Sequence, residues 1–336
     1  MSGPVVCFGE LLLRLTPPRS QLMVQADRLE LSVGGAEANV AVALASLGHR
    51  VRFAGAVSDN PIGDRAVAAL RSAGVDTRFL ARMPGRMGLY FMEAGAGSRP
   101  SAITYDRAGS AFAAADPAEI DLAGALDGAR LLHTGGITPA LGPKGVALAK
   151  AAQSAAAAAG VPICFDGNYR RQLWSAWDGD PRTILTELVR DAAILIGNHR
   201  DISLLLGESF PGDGEVRRRE AAEAAFAEFP KLQLIASSAR HLVTSDHHGI
   251  SARVDSRDGA HQTDEIAVTG IVERIGTGDA FAAGVLDAWL GGGDVQAMAL
   301  TGLALTALKH TIPGDQCLAN RAMLAAFDAG GGDVRR

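Results

Sequence analysis

Short apolar runs alternate with longer amphipathic or alanine-rich segments along most of this chain, and that alternation restricts its fold more than any other feature. The runs Val5–Gly9, Val51–Ala56, Leu131–Thr134, Ile163–Asp166, Ala193–Ile196 and Leu232–Ala236 have the length and composition of buried strands. Helices are expected between them, most clearly over Ala36–Leu47 and Pro61–Ala73. In the second, Ile62, Ala66, Leu70 and Ala73 recur at helical spacing, Pro61 suits the first helical position, and Gly74 suits a C-terminal cap. Ala149–Ala159 is helical by propensity and ends at Gly160. This order of elements builds a parallel sheet with helices on both faces, a three-layer α/β domain. The 336 residues suffice for one large domain of that kind or two smaller ones.

Two stretches break the alternation. Leu11–Val33 and Gly85–Ala111 read as strands without intervening helices. Gly88–Glu93 and Ala102–Tyr105 are rich in β-forming residues and are separated by the turn-rich Gly95–Pro100. Residues 12–33 and 85–111 are therefore expected to form one small β-sheet standing off a core made of residues 1–11, 34–84 and 112–330. There is no internal repeat, and the one biased tract is the glycine run Gly330–Gly332.

A formal net charge of -5 and the absence of a long basic stretch argue against general nucleic-acid binding. Arg217-Arg218-Arg219 is followed by Glu220 and Glu223, which reads as a solvated helix face. Cys7, Cys164 and Cys317 are an odd, scattered set, expected as free thiols in a reducing cytoplasm. Glu10 and Arg14 interrupt the first apolar run, so no signal peptide is read there, and no run of about 18 apolar residues suggests a membrane span. Adjacent side chains on a strand diverge, so His247-His248 is not expected to hold a metal, and His133 reads as a core or pocket-edge residue.

Three local motifs could carry chemistry. Gly276-Thr277-Gly278-Asp279 precedes a helix expected over Ala280–Leu290. Backbone amides at such a start favour an anion. A carboxylate there can take a proton from a hydroxyl while the amides hold phosphoryl oxygens, which is what phosphoryl transfer needs. The same pattern also serves as a plain turn with an N-cap. Gly34-Gly35-Ala36-Glu37-Ala38-Asn39 permits close approach of a ligand, with Asn39 able to bond a sugar hydroxyl, or is a tight β-to-α turn. Asp166-Gly167-Asn168-Tyr169-Arg170-Arg171 follows a strand, where ligands of open α/β sheets lie, or is a surface salt-bridge loop. There is no Gly-x-x-x-x-Gly-Lys-Ser/Thr phosphate loop and no dinucleotide fingerprint after the first strand.

Together and in this order, the motifs resemble those of the ribokinase-like (PfkB) carbohydrate kinases over nearly the whole chain. Gly34-Gly35 through Asn39 is the early match. Gly55-Ala56-Val57-Ser58-Asp59, Gly63 and Leu70…Ala73-Gly74-Val75-Asp76 follow, and Gly276–Asp279 with Ala283-Gly284 is the late match. Within that family the chain is most similar to the 2-keto-3-deoxygluconate kinases. The matching residues are Tyr90 in Gly-Leu-Tyr-Phe, Tyr105 and Arg107 in Tyr-Asp-Arg-Ala-Gly-Ser-Ala, Arg170 in Asn-Tyr-Arg-Arg-Gln-Leu-Trp, and Ala307–Asp315.

The resemblance implies a ribokinase-like core with a β-lid, and ATP-dependent phosphorylation of 2-keto-3-deoxygluconate at its 6-hydroxyl, with Mg²⁺. It implies Asp279 as base and Gly276, Thr277 and Gly278 as the anion hole. Gly34, Gly35, Asn39, Tyr90, Tyr105, Arg107, Arg170, Asp279 and Asp315 would bind substrate. Asn168, Asn198, Ser237, Arg240, Gly276 and Gly278 would bind ATP. The resembled kinases often assemble through the lid, so a homo-oligomer is expected. Arginine suits the carboxylate of a sugar acid, and a neutral sugar would not need two of them.

The chain departs from the family pattern in three places. Asn198-His199-Arg200-Asp201 replaces Asn-x-x-Glu, so Asp201 would reach a metal only through water. Ser237–Ser245 replaces the usual glycine-containing nucleotide loop, leaving the purine contacts open. Glu273-Arg274-Ile275 replaces an Asp-Thr-Thr-like lead, leaving a monovalent-cation site open. A fructokinase or ribokinase type of substrate and a non-catalytic sugar or nucleotide sensor on the same fold are the rival readings.

Overall fold

The computed structural model describes residues 3–18, 21–212 and 214–328. Residues 1–2, 19–20, 213 and 329–336, which include the Gly330–Gly332 run and small parts of the expected core and lid ranges, lie outside the described residues. In chain order the strands are β1 (Val5–Phe8), β2 (Leu12–Thr16), β3 (Glu30–Gly34), β4 (Val51–Ser58), β5 (Asp76–Met83), β6 (Gly88–Glu93), β7 (Ala102–Asp106), β8 (Leu131–Gly135), β9 (Ile163–Asp166), β10 (Ile194–Ile196), β11 (Leu234–Thr244), β12 (His247–Ser256), β13 (Ala260–Gln262) and β14 (Ile266–Thr269). Among the described residues they form a ten-stranded sheet in the order β13-β12-β11-β10-β9-β8-β1-β4-β5, with β14 also on β12, and a four-stranded sheet in the order β3-β2-β6-β7.

The large sheet is parallel from β11 to β5, and β12, β13 and β14 extend it antiparallel. Strand β1 pairs with β4 on one side and β8 on the other, so the strand order reverses beside it. A crevice therefore opens beyond the carboxyl ends of β1 and β8, where open α/β sheets take ligands. Period-two alternation sorts the core cleanly. Val5 and Cys7 pack with the helices Ala36–Ser46, Thr277–Leu290 and Val295–Lys309, while Val6 and Phe8 pack toward Pro143–Ala158. The helices Thr277–Leu290 and Val295–Lys309 approach closely at Gly284, where a Cβ would lie 2.6 Å from the Thr301 carbonyl oxygen. That contact is a packing reason for the glycine in Ala283-Gly284.

The structure extends or adds several elements. The helix predicted over Ala149–Ala159 starts at Pro143, and the one predicted from Ala280 starts at Thr277, which draws Asp279 into its first turn. Strand β5 lies at the sheet edge and alternates with Asp76, Arg78 and Arg82, so an apolar-run criterion passes over it. The segment Ser237–Thr244, read as standing in for a loop, is strand: it continues β11 and pairs with β12 almost throughout. Asn60 caps the helix Pro61–Ser72 by accepting from the amides of Ile62 and Gly63, with Pro61 at the first position as the sequence suggests. Arg217 and Arg219 of the basic run pair with Glu220 and Glu223. His133 is buried, with Nδ1 3.5 Å from Cys164 Sγ, and burial pushes its pKa down to about 4. The three cysteines are free and buried, and among the described residues no helix is long and apolar enough to cross a membrane.

Candidate active site

A cavity of about 760 Å³ lies between the small sheet and the carboxyl ends of the large one. It brings together residues from the three local motifs and from the small sheet. Gly35, Asn39, Tyr90, Tyr105, Arg107, Asn168, Arg170, Asn198, Asp201, Ser237, Gly276, Thr277, Gly278, Asp279 and Asp315 all line it. Gly34 ends β3 directly against the Asp315 carboxylate. Arg240 lies apart, in a neighbouring pocket of about 240 Å³ that shares Asn198 and Ser237 with the main cavity.

The floor is the turn Gly276–Asp279. Gly276 has φ +79, and a Cβ there would overlap the Asp315 carbonyl oxygen, so both backbone conformation and space demand glycine. The helix it starts has no side-chain cap, which leaves its first amides open to an anion. A Cβ on Gly278 would meet nothing within 4 Å, so the cavity is open there. Asp279 accepts a 2.7 Å hydrogen bond from Asn39 Nδ2. Burial pushes the Asp279 carboxyl up to about 6, against the Asn39 bond and the charges of Arg170 and Lys309. A carboxylate of that pKa is ionised at neutral pH yet basic enough to take a proton.

One row of side chains crosses the small sheet in register: Ser32 on β3, Arg14 on β2, Tyr90 on β6 and Tyr105 on β7. The two tyrosine rings lie 5.9 Å apart and both face the cavity. Tyr90 Oη donates to Asp315 Oδ2, and burial with the adjacent Asp315 charge holds the phenol well above its usual range. Arg14 joins this row to the floor. Its Nη1 donates to Glu273 Oε2 at 2.8 Å and its Nε lies 3.2 Å from Asp315 Oδ1. Glu273 Oε1 in turn accepts from the amides of Arg274 and Ile275, at 2.9 and 3.0 Å, just before the glycine turn.

The two arginines expected to bind a carboxylate differ in setting. Arg107 is 5% exposed; its Nε and Nη2 both donate to Glu10, which also accepts from Ser110. Arg170 is exposed at the cavity wall, with only a long 3.4 Å bond to the neighbouring Tyr169 carbonyl. Asn168, beside it, has φ +39, an uncommon backbone for a residue other than glycine. Asn198 and Asp201 form a reciprocal cap: Asn198 Oδ1 accepts from Arg200 N and Asp201 Oδ2 accepts from Asn198 N, each at 2.8 Å. Asp166 faces Asp279, Glu37 and Asp201 as well as Arg170, and burial with those carboxylates holds it well above its usual range.

Sequence reasoning passed over Glu10, Arg14, Glu37, Glu273 and Lys309 as site residues. Glu37 is buried with Oε1 taking no hydrogen bond from protein, as is Asn39 Oδ1. Burial and the Asp279 and Glu10 charges push Glu37 up to about 7. The available signal was a charge inside an apolar pattern, Arg14 in Leu12-Leu13-Arg14-Leu15 and Glu37 in an alanine-rich helix, since such charges require buried partners.

The same fold is found in known proteins. Residues 3–320 match the pfkB family carbohydrate kinases. A 2-dehydro-3-deoxygalactonokinase of Haloferax volcanii is 33% identical over 315 residues, spanning 94% of this chain and 93% of its own. The crystal structure of a 2-dehydro-3-deoxygluconokinase from Thermotoga maritima superposes with a TM-score of 0.92 at 35% identity, covering 98% of this chain and all of that one. A fructokinase with bound ATP from Xylella fastidiosa shares the fold, with a TM-score of 0.79 at 20% identity over 98% of this chain and 99% of its own. A family match over residues 3–320, with a relative 33% identical over 94% of the chain, makes the chain a member of the PfkB family of carbohydrate kinases.

Proposed function

We propose that this kinase transfers the γ-phosphoryl group of ATP to the 6-hydroxyl of 2-keto-3-deoxygluconate. The observation that carries the reading is the cavity that Asp279 and an uncapped helix start share with Tyr90, Tyr105 and Arg170. The relatives named for keto-deoxy sugar acids support the same substrate class. Asp279 takes the proton of the attacking hydroxyl as the new oxygen–phosphorus bond forms and the bond to the leaving β-phosphate breaks, giving the 6-phosphate and ADP. The amides of Gly276, Thr277 and Gly278 hold the oxygens of the transferred group. Asn39 orients Asp279 through its amide, and its buried Oδ1 suits a sugar hydroxyl. Arg170 and Tyr105 bind the acid end, and Gly34, Gly35, Tyr90, Arg107 and Asp315 shape the rest of that subsite.

ATP lies along Asn168, Asn198, Ser237, Gly276 and Gly278, with Arg240 at the far side. Magnesium fits this donor set. Asp166 and Asp201 crowd the cavity wall with Arg170 facing them, and among the described residues no three His, Cys, Asp or Glu side chains could hold a metal by themselves. Asp201 would hold Mg²⁺ through water, since one of its oxygens already accepts from Asn198. When bound, the ion neutralises charge on the phosphate oxygens. Residues 12–33 and 85–111 act as a lid over a core of residues 1–11, 34–84 and 112–330, in a cytoplasmic enzyme whose free thiols suit a reducing compartment.

A coupled ADP-release assay over 2-keto-3-deoxygluconate, its C4 epimer, fructose, ribose and a nucleoside tests the substrate. The sugar acids are expected to give the highest kcat/KM, and a preference for fructose or ribose would overturn the reading. The lid also predicts assembly. Strand β7 is exposed along its length at one edge of the small sheet, and Leu31 is exposed on β3 at the other. An open sheet edge of this kind is normally covered. Light scattering at micromolar concentration should give at least the mass of a dimer, and a monomer mass would refute this.

A further inference from the structure

We propose that the buried Lys309 ammonium is the resident cation of the phosphate turn: a positioning residue that holds Gly276–Asp279 in place and balances the carboxylates beneath it. The inference rests on the reading of that turn as the site of phosphoryl transfer. Lys309 is the last residue of the helix Val295–Lys309 and is 0% exposed, an unusual state for a lysine. Its Nζ donates to the Ile312 carbonyl at 2.8 Å, so the ammonium sits at the carbonyl end of its helix, where the dipole favours a cation. Its Cε lies 3.3 Å from the point where a Cβ of Gly276 would stand, directly under the turn.

The charges around it explain why a cation is needed there. Lys309 faces Glu273 and Asp315 within Coulombic reach, and Arg14 is bound to both of those carboxylates. Lys309 itself stands beyond ion-pair distance of them. Burial lowers the Lys309 pKa and the charges of Glu273 and Asp315 raise it, so those two carboxylates favour the ammonium form, and two cations then balance two carboxylates in this buried cluster. Glu273 caps the amides of Arg274 and Ile275 immediately before Gly276, and the Asp315 carbonyl packs against Gly276 itself. Without Lys309 the cluster carries a net negative charge beneath a turn that must receive phosphate oxygens. Its two carboxylates would then repel each other and loosen the amides they hold. Asp279 also feels the Lys309 charge, which favours its ionised form.

The test uses the full-length enzyme with Mg-ATP and the fastest sugar acid of the panel. Lys309→Met keeps nearly the same volume and removes the charge. It should fold as the wild type by circular dichroism and lose about 100-fold in kcat, the usual result of a loosened catalytic geometry, with the sugar KM within about threefold. Lys309→Ala leaves a space, and ammonium or methylammonium should restore its kcat by about tenfold or more toward the wild-type value, whereas tetramethylammonium at equal ionic strength should not. Wild-type turnover should be indifferent to added ammonium or potassium. If Lys309→Ala does not fold, the kcat of Lys309→Met decides alone. A wild-type kcat in Lys309→Met, or a folded Lys309→Ala variant that no small monovalent cation restores, overturns the proposal. Asp279→Asn in the same assay separates the two readings: an active Asp279→Asn sinks the turn as the reaction site, and an inactive one beside a fully active Lys309→Met sinks only the role of Lys309.

Discussion

Asp279→Asn is expected to lower kcat by about 100- to 10,000-fold while the protein folds normally, the range that loss of a general base spans. The expectation follows from the position of this carboxylate at the first turn of an uncapped helix, held by Asn39 and facing the open space above Gly278. Asparagine keeps the shape and removes only the basic oxygen, so binding of ATP and sugar should change far less than turnover. The pKa of Asp279 adds a second signature. Burial pushes it up to about 6, so wild-type kcat/KM should climb as pH rises through about 6 and level off above, as the base becomes ionised. Stability should move the other way. A carboxyl whose folded pKa lies above its unfolded value stabilises the protein fully at low pH, and that contribution is lost as pH rises through the folded pKa. The asparagine variant cannot acquire the buried charge, so above pH 6 it should melt no lower than wild type. Near-normal turnover in a folded variant would remove Asp279 from the mechanism.

What the sequence revealed, and what it hid, divides by the range of the interaction. Gly276–Asp279, Gly34–Asn39 and Asp166–Arg170 were legible as local turns, each open to a plain structural reading, and only their order along the chain resembled a known family. The sheet was legible where strands are buried on both faces and read as apolar runs, and illegible at β5, an edge strand carrying Asp76, Arg78 and Arg82. The wiring between motifs was hidden. Arg107 meets Glu10 across 97 residues and Arg14 meets Glu273 across 259, and neither spacing carries any local signal. Lys309 stood inside the stretch Ala307–Asp315, where no local spacing marks an ammonium as buried. Only the packing of Val295–Lys309 beneath Gly276 shows that its ammonium is buried.

Those long-range contacts change what is expected of the two arginines that the sequence assigned to one carboxylate. Arg170 is exposed on the cavity wall and makes little of its own structure, so Arg170→Ala should melt as the wild type does. If it holds the acid group of the sugar, it should lose about 1.5–3 kcal/mol of charge-assisted hydrogen bonding. That is roughly a 10- to 150-fold drop in kcat/KM for 2-keto-3-deoxygluconate, with fructose much less affected. Arg107 lines the same cavity, but its Nε and Nη2 donate to Glu10 in a pair that is 6% and 2% exposed at the side chains. Arg107→Ala leaves Glu10 as an uncompensated buried charge, a change that costs about 3–5 kcal/mol of stability. Melting should therefore fall steeply in that variant, before any effect on substrate is read. Combining Glu10→Gln with Arg107→Met separates the roles, because it removes both charges and should recover much of the stability. If the recovered double variant still uses the sugar acid as well as wild type does, Arg107 serves the fold and Arg170 alone meets the carboxylate. If it loses the acid preference as Arg170→Ala does, the two arginines act on the same group. An Arg107→Ala variant that melts like wild type would show that the pair with Glu10 contributes nothing, and an Arg170→Ala variant unchanged on the sugar acid would end the case for a carboxylate clamp.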